Sequence, residues 1–364
     1  MKQFEVHSII FMKMDHIGDM VLSTPVFRAV KERYPECSVG VLCSAKGALV
    51  LKNSPFIDDM YICNPDMFDR EGANNSYTKM KDFWNIVRIR EKQYDLCISL
   101  RGDLDNPAIQ SMLGAKYNIS FVVSKYQEGF DYSIPNPGNM HMAVKNFELL
   151  KLVDVKKPDR LETDIFPGRE DEAWADMFLE SPGVTAFDTL VGISPGGGWF
   201  LNWWPWEKYA QLGKMLAKYD KSIKLVLVGG KAEKEVIEKI KSNSACDFID
   251  ASGKTTLQQL SALYGRMRLV VCNDGGTMHI ATTAKAPLVA LFGPSPDWFY
   301  PVGNDNIIIH KKFACSPCPQ FEAGKKPKCL NNKCMKAIEV KEVYRAVLDI
   351  LNGNFRGRNY EKIN

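Results

Sequence analysis

One stretch of the chain, residues 268–301, constrains the fold more than any other. It reads RLVVCNDGGTMHIATTAKAPLVALFGPSPDWFYP. The apolar, β-branched run at 269–272 predicts a buried parallel strand, and the glycines within 273–276 predict a sharp turn after it. A helical pattern then begins at Thr277, and the apolar run 288–292 predicts a second strand. A strand–turn–helix–strand unit of this kind is typical of an open α/β sheet.

The turn in this unit is a candidate ligand site. Open α/β sheets bind ligands beyond the carboxyl ends of their strands, which is where this turn lies. The N-terminus of the following helix presents N–H groups that favour a phosphate. Asp274 and His279 flank that position. The sequence therefore predicts a site for a phosphorylated ligand here.

Length and composition predict a two-domain globular protein. The chain has 364 residues, 45% of them hydrophobic and 25% charged. A net charge of +4 is too small to indicate a nucleic-acid partner. We expect a cytoplasmic protein, because the N-terminal residues show no secretory pattern and most of the ten cysteines stand singly in apolar runs. No apolar run approaches the length of a membrane span.

The remaining strands alternate with helices in both halves of the chain. Apolar runs at 8–13, 39–43 and 95–100 in the first half, and at 190–194 and 224–228 in the second, predict two parallel sheets. The first helix is expected at 20–33, after a turn at 14–19. We expect a domain at 1–165, a proline-containing linker at 166–189, a second domain at 190–338, and a final helix and tail at 339–364.

Two segments resemble a known family. NDGGTMHIATTAKAPLVALFGPSPDWFYP resembles the D-[ST]-G-x-x-H motif and its continuation in family 9 glycosyltransferases, the lipopolysaccharide heptosyltransferases. Gly275 stands where that family usually has Ser or Thr. IIFMKMDHIGDMVLSTPVFRAVKERYP is similar to the Gly-Asp segment that opens the family.

The resemblance implies a fold and a reaction. The fold is GT-B, with two Rossmann-like doubly wound domains facing a central cleft. The reaction is inverting transfer of a sugar, expected to be heptose, from a nucleoside-diphosphate sugar, expected to be ADP-linked. The acceptor is the lipopolysaccharide core or a related glycan, so a peripheral contact with the cytoplasmic face of the inner membrane is expected.

In the first domain the resemblance assigns the general base to Asp19, which removes a proton from the acceptor hydroxyl. The alternative is an aspartate that only caps a helix. Gly18 is expected to contact the donor. Asp15, His16 and Arg101 lie in turns after strands and are expected to contact the acceptor.

In the second domain the resemblance implies a donor site on several turns. Asn202 stands where the family has a lysine that contacts the diphosphate, and Lys254 is the candidate substitute cation. Glu233 is the candidate for the ribose hydroxyls, although a carboxylate at a helix start also favours the helix dipole. The other donor-site candidates are Gly197, Asp274, Gly275, Gly276, Thr277 and His279.

Cys315, Cys318, Cys329 and Cys334 form the one cysteine cluster in the sequence. Four cysteines at such spacing either hold a structural zinc or remain free thiols. The family's chemistry is taken to require no cofactor.

Two other function classes stay open at this point: a nucleotide-sugar epimerase of similar two-domain fold, and a non-catalytic sugar-nucleotide-binding homologue. A dinucleotide oxidoreductase is not favoured, because no G-x-G-x-x-G follows a predicted strand.

Overall fold

The computed structural model describes residues 5–63, 76–101, 107–122, 130–303, 305–319, 329 and 331–354; within these, the side chains of 76–81 and 107–109 are left out. Internal contacts divide the chain into two units, Met1–Asp164 and Ile165–Asn364. Within the described ranges, no helix is both long and apolar enough to cross a membrane.

The first unit is a doubly wound α/β domain. Its strands are β1 (Ser8–Lys13), β2 (Ser38–Cys43), β3 (Asp59–Ile62), β4 (Leu96–Ser99), β5 (Tyr117–Val122) and β6 (Tyr132–Pro135). All pair in parallel, in the spatial order β3-β2-β1-β4-β5-β6. Its helices are α1 (Ile17–Val21), α2 (Thr24–Arg33), α3 (Ala45–Leu51), α4 (Ser76–Lys92), α5 (Pro107–Leu113) and α6 (Met142–Leu150).

The segment after β1 differs from expectation. The helix expected at 20–33 is two helices, α1 and α2, separated at Leu22 and Ser23. Pro25, near the start of α2, has no N–H to continue a helix from α1. Asp19, expected at the end of a turn, therefore lies within the short helix α1, where the Ser23 hydroxyl donates to its carbonyl oxygen at 2.8 Å.

The second unit repeats the same plan. Its strands are β7 (Thr189–Ser194), β8 (Ile223–Leu227), β9 (Phe248–Asp250), β10 (Leu269–Asn273), β11 (Leu288–Phe292) and β12 (Asn306–His310). They pair in parallel in the order β12-β11-β10-β7-β8-β9. Its helices are α7 (Arg169–Glu180), α8 (Trp206–Tyr219), α9 (Lys234–Ser244), α10 (Leu257–Tyr264), α11 (Gly276–Thr283), α12 (Lys333–Lys336) and α13 (Val340–Leu351).

Helices α7 and α13 both belong to the second unit. α7 falls within the segment expected as a linker, 166–189, yet it packs on α10. Arg266, just after α10, pairs with Asp176 of α7 at 2.8 Å and also with Glu172. α13 packs on α8 and on strands β10 and β11. α13 therefore covers the second sheet, and α7 packs on the helix α10 of the same unit.

The side chain of Asn273 joins the turns at the carboxyl edge of the second sheet. It is fully buried at the end of β10. Its amide nitrogen donates to the carbonyl oxygens of Pro195 at 2.7 Å and Gly196 at 3.2 Å. Its amide oxygen accepts from Trp204 N–H at 3.1 Å and from the Tyr209 hydroxyl at 2.9 Å. Both donor and both acceptor positions of the amide are used. These hydrogen bonds fix the turn after β7 to the end of β10.

We predict that Asn273→Ala lowers the free energy of unfolding by about 2–4 kcal/mol, because it leaves several buried polar groups without a partner. Chemical denaturation measures the change. Asn243→Ala is the matched control, since that exposed amide donates only to the carbonyl oxygen of Lys239. A loss for Asn273→Ala no larger than that of the control would contradict this role.

Candidate active site

Most of the expected site residues lie where the strand order of each sheet reverses. In the first sheet this is between β1 and β4, and in the second between β7 and β10. At such a point the loops leaving two neighbouring strands diverge and open a crevice at the carboxyl edge. Residues 14–19 and Arg101 follow β1 and β4, while residues 195–198 and 274–277 follow β7 and β10.

A buried charge cluster occupies the switch point of the first sheet. Lys13, the last residue of β1, is only 1% exposed, and its ammonium contacts Asp15 Oδ2 at 2.7 Å and the Leu100 carbonyl oxygen at 3.3 Å. Arg101 Nε contacts the other carboxylate oxygen of Asp15 at 2.9 Å. Burial alone would raise the pKa of Asp15, but the Lys13 and Arg101 cations outweigh it and hold that pKa below its usual value. Asp15 is therefore an anion that links two cations.

Asp19 lies beside this cluster, and its pKa is shifted in the opposite direction to that of Asp15. Burial raises the pKa of Asp19 above its usual value; Lys13 opposes that shift, and the Asp15 anion adds to it. Gly18 precedes it in α1, and His16 is exposed at the start of that helix. The segment after β1 thus holds one carboxylate, Asp15, that stays ionised and one, Asp19, that takes up a proton more readily.

Two glycine turns approach each other closely at the switch point of the second sheet. A side chain on Gly197 would place its Cβ 3.1 Å from the carbonyl oxygen of Asp274, and Gly197 has a φ of +157°. A side chain on Gly275 would place its Cβ 3.3 Å from the Cα of Gly197. Gly275 replaces the family's usual Ser or Thr. The structure leaves little space for a side chain at this position, because its Cβ would crowd Gly197.

Asp274, Asn202 and Ser295 form a buried hydrogen-bonded cluster at this site. Asn202 Nδ2 donates to Asp274 Oδ2 at 2.9 Å and to Ser295 Oγ at 3.1 Å. The Ser295 hydroxyl donates to the same Asp274 oxygen. Asn202 Oδ1 is buried and has no hydrogen-bond partner among the groups that the structure describes. The amide nitrogen of Asn202, expected to contact the donor, is thus engaged with Asp274.

Glu233 lies against the glycine turn that follows β7. A side chain on Gly196 would place its Cβ 3.0 Å from Glu233 Oε1, and one on Gly230 would place it 3.0 Å from Oε2. β8, which leads to Glu233, is the neighbour of β7. The structure therefore brings this carboxylate to the same edge of the sheet as Gly197 and Asp274.

Lys254 lies further along that edge. It follows β9, which is three strands from β10 in the sheet order. At a strand spacing of about 4.8 Å, the two strand ends are about 14 Å apart. Its ammonium donates to the Asp250 carbonyl oxygen at 2.7 Å and lies 5.8 Å from the ring centre of Phe178. Lys254 does not take the position beside Asp274 that Asn202 occupies.

The first turn of α11 directly follows Asp274 and Gly275 in the sequence. Gly276 begins the helix after Gly275. The Thr277 hydroxyl accepts from the Ser194 hydroxyl at 2.9 Å, which ties α11 to the end of β7. His279 is buried at 4% exposure, and its backbone N–H donates to Gly275. The start of α11, which the sequence predicts to bind a phosphate, therefore lies next to Gly197.

The four clustered cysteines do not form a metal site in the described residues. Cys315, Cys318, Cys329 and Cys334 are all free. Among the residues that the structure describes, no group of three or more His, Cys, Asp or Glu side chains could hold a metal ion.

Three residues of these clusters were not identified from the sequence. Asn273 and Ser295 flank the Gly-rich motif, and Lys13 ends a predicted strand. For Lys13 and Asn273, a polar side chain directly after or within a buried apolar strand was the available signal, because burial of such a group requires a partner. Ser295 follows β11 after two further residues and carries no such signal.

Comparisons with known proteins identify the family of the chain. The family model for glycosyltransferase family 9 (heptosyltransferase) matches residues 85–330. Lipopolysaccharide heptosyltransferase 3 of Escherichia coli K12 is 24% identical over 304 residues, covering 81% of this chain and 85% of that protein.

Two solved structures share the fold. A family 9 glycosyl transferase from Veillonella parvula has a TM-score of 0.81 at 20% identity, over 97% of this chain and 99% of that one. ADP-heptose lps heptosyltransferase II of E. coli has a TM-score of 0.72 at 18% identity, over 95% of this chain and 99% of that one. The expected GT-B fold class is confirmed, and an epimerase or a non-catalytic module is not favoured. The chain belongs to glycosyltransferase family 9 and is a glycosyltransferase.

Proposed function

We propose that the protein transfers heptose from an ADP-linked donor to the lipopolysaccharide core or a related glycan, with inversion at the anomeric carbon. The observation that carries the proposal is the pair of switch-point sites in a family 9 chain. One holds a partly buried carboxylate of raised pKa, and the other holds a glycine-lined helix start. Two of the relatives cited above support the sugar, since both are named heptosyltransferases and one of them is named for ADP-heptose.

The second unit binds the donor in this proposal. The N–H groups of Gly276 and Thr277 at the start of α11 face the diphosphate and stabilise the charge that grows as it leaves. Gly197 and Gly275 let the backbone approach the phosphates, and Glu233 accepts from the ribose hydroxyls. Lys254, after β9, lies on the nucleoside side.

The donor sugar lies near Asp274 and Asn202. The carboxylate of Asp274 accepts from sugar hydroxyls. Asn202 contributes through Oδ1, which is a hydrogen-bond acceptor and therefore suits a hydroxyl and not a phosphate oxygen. His279 supports the helix start from within α11.

The first unit binds the acceptor and supplies the base. Asp19 removes the proton of the acceptor hydroxyl as its oxygen attacks the anomeric carbon, and the nucleoside diphosphate leaves from the opposite face. The cluster of Asp15, His16 and Arg101 contacts the acceptor, with Lys13 fixing Asp15 from behind. Gly18, which precedes Asp19 in α1, is the proposed donor contact of this unit.

We predict that Asp19→Asn lowers kcat by about 10²–10⁴-fold, because an amide cannot take the proton. ADP release from ADP-heptose in the presence of acceptor measures kcat. In the natural protein, kcat should fall as the pH drops through the raised pKa of Asp19, so the acidic limb lies above the range of an ordinary aspartate. ADP affinity should not change.

Asp154→Asn is the matched control, because Asp154 is an exposed carboxylate of the same unit that pairs with Arg33. It should keep the activity of the natural protein. Full turnover by Asp19→Asn would overturn the assignment of the base. No transfer by the natural protein from any nucleoside-diphosphate sugar would overturn the proposed function itself.

We also propose that helix α4 meets the membrane that carries the acceptor. Phe83 and Trp84 are each 55% exposed, with ring centres 6.0 Å apart. Arg88 and Arg90 are exposed on the same helix. Exposed aromatic rings beside arginines are suited to the interface of an anionic bilayer, where the rings enter the headgroup region and the cations contact phosphates.

Trp84→Ala should therefore reduce co-sedimentation with vesicles that contain anionic phospholipid by several-fold. The rate of sugar transfer to a water-soluble acceptor should not change. Phe187→Ala is the control. Phe187 is also an exposed aromatic residue, at 92%, but it lies in the other unit and its neighbour in the sequence is the acidic Asp188 instead of an arginine. Equal binding of the natural protein to anionic and zwitterionic vesicles would contradict the proposed contact.

A further inference from the structure

Ser295 is a fully buried polar residue in the turn after β11, the strand next to β10. Its hydroxyl donates to Asp274 Oδ2 and accepts from Asn202 Nδ2 at 3.1 Å. Because Asn202 Nδ2 also donates to Asp274 Oδ2 at 2.9 Å, the three side chains close a triangle. Two neutral donors thus converge on one oxygen of the carboxylate.

The backbone on either side of Ser295 and Asn202 is itself held in place. His310 Nε2 lies 3.2 Å from the Gly293 carbonyl oxygen, and the Cys318 N–H donates to the Pro294 carbonyl oxygen at 2.8 Å. On the other side, Asn202 forms part of a short helical turn that leads into Trp204, whose N–H is bound by Asn273. Asn202 and Ser295 therefore belong to two segments, after β7 and after β11, whose backbones are each held by hydrogen bonds.

A carboxylate that recognises sugar hydroxyls must present its oxygens in a fixed direction. A free aspartate side chain would lose conformational entropy each time a ligand ordered it. Hydrogen bonds from Asn202 and Ser295 order Asp274 before the ligand arrives, and they are charge-assisted because the acceptor is ionised.

We propose that Ser295 is a positioning residue for donor-sugar recognition, acting together with Asn202 to orient Asp274. This inference rests on the proposed function, in which Asp274 accepts from the donor sugar. Ser295 does not contact the reacting atoms. It acts through Asp274, so its effect should depend on the sugar and not on the nucleoside diphosphate.

Ser295→Ala and Ser295→Cys test the proposal. The cysteine variant keeps most of the side-chain volume but replaces the hydroxyl by a weak donor. Loss of a hydrogen bond to a charged group predicts a decrease of about 10- to 100-fold in kcat/KM for ADP-heptose in both variants. The affinity for ADP, which lacks the sugar, should stay within about twofold. Ser295→Thr, which retains the hydroxyl, should recover part of the loss.

Thr185→Ala is the matched control. The Thr185 hydroxyl also donates to a carboxylate, that of Asp188, at 2.8 Å, but at the amino end of β7, the opposite edge of the sheet. This variant should retain both the kcat/KM and the ADP affinity of the natural protein.

The outcomes separate this inference from the proposed function. If Asp274→Ala loses sugar-dependent affinity and Ser295→Cys does not, the positioning role of Ser295 is overturned while the donor site stands. If both variants of Ser295 lose ADP affinity as strongly as kcat/KM, Ser295 supports the fold of the site and the proposal also fails. If Ser295→Ala does not fold, Ser295→Cys decides the question. If the natural protein transfers no sugar, the proposed function fails first.

Discussion

The four hydrogen bonds of the Asn273 side chain are the interaction on which the second unit's site depends. They join the end of β10 to the turn after β7 and to the start of the segment that leads into α8. The two glycine turns can approach within van der Waals contact only because that join holds them there. Once they are held, the start of α11 lies open beside Gly197, and Asp274 lies within reach of Asn202 and Ser295.

The two switch-point sites differ in the kind of polar group that they present. The first unit gathers full charges, with Asp15 between the Lys13 and Arg101 cations and with Asp19 kept more basic by burial. The second unit presents backbone N–H groups and neutral side chains around Asp274. A base needs a tuned proton affinity, whereas a departing diphosphate needs fixed dipoles that do not reorganise as its charge grows. In the proposed function, the same fold meets both needs through the different residues placed at the carboxyl ends of its strands.

The sequence predicted the sheets well because parallel strands buried on both faces appear as continuous apolar runs. β1 and β11 were bounded correctly, and the glycines marked the turn before α11. It did not show which side chains from distant strands become partners. Asn202, expected to contact the donor from the position of the family's lysine, donates through its amide nitrogen to Asp274, a residue 72 positions away. Spacing alone also leaves the capping box before α10 ambiguous, because Thr255 and Gln258 are as far apart as Thr256 and Gln259, the pair that forms it.

Amide hydrogen exchange with and without ADP tests the central claim most directly. The N–H groups of Gly276 and Thr277 are in the first turn of α11, where no intrahelical acceptor exists, so they should exchange rapidly in the free protein. At saturating ADP, peptides covering 195–198 and 275–278 should become protected, while those in α13 should not change. Unaltered exchange at both glycine turns under saturating ADP, or protection confined to the first unit, would contradict the account.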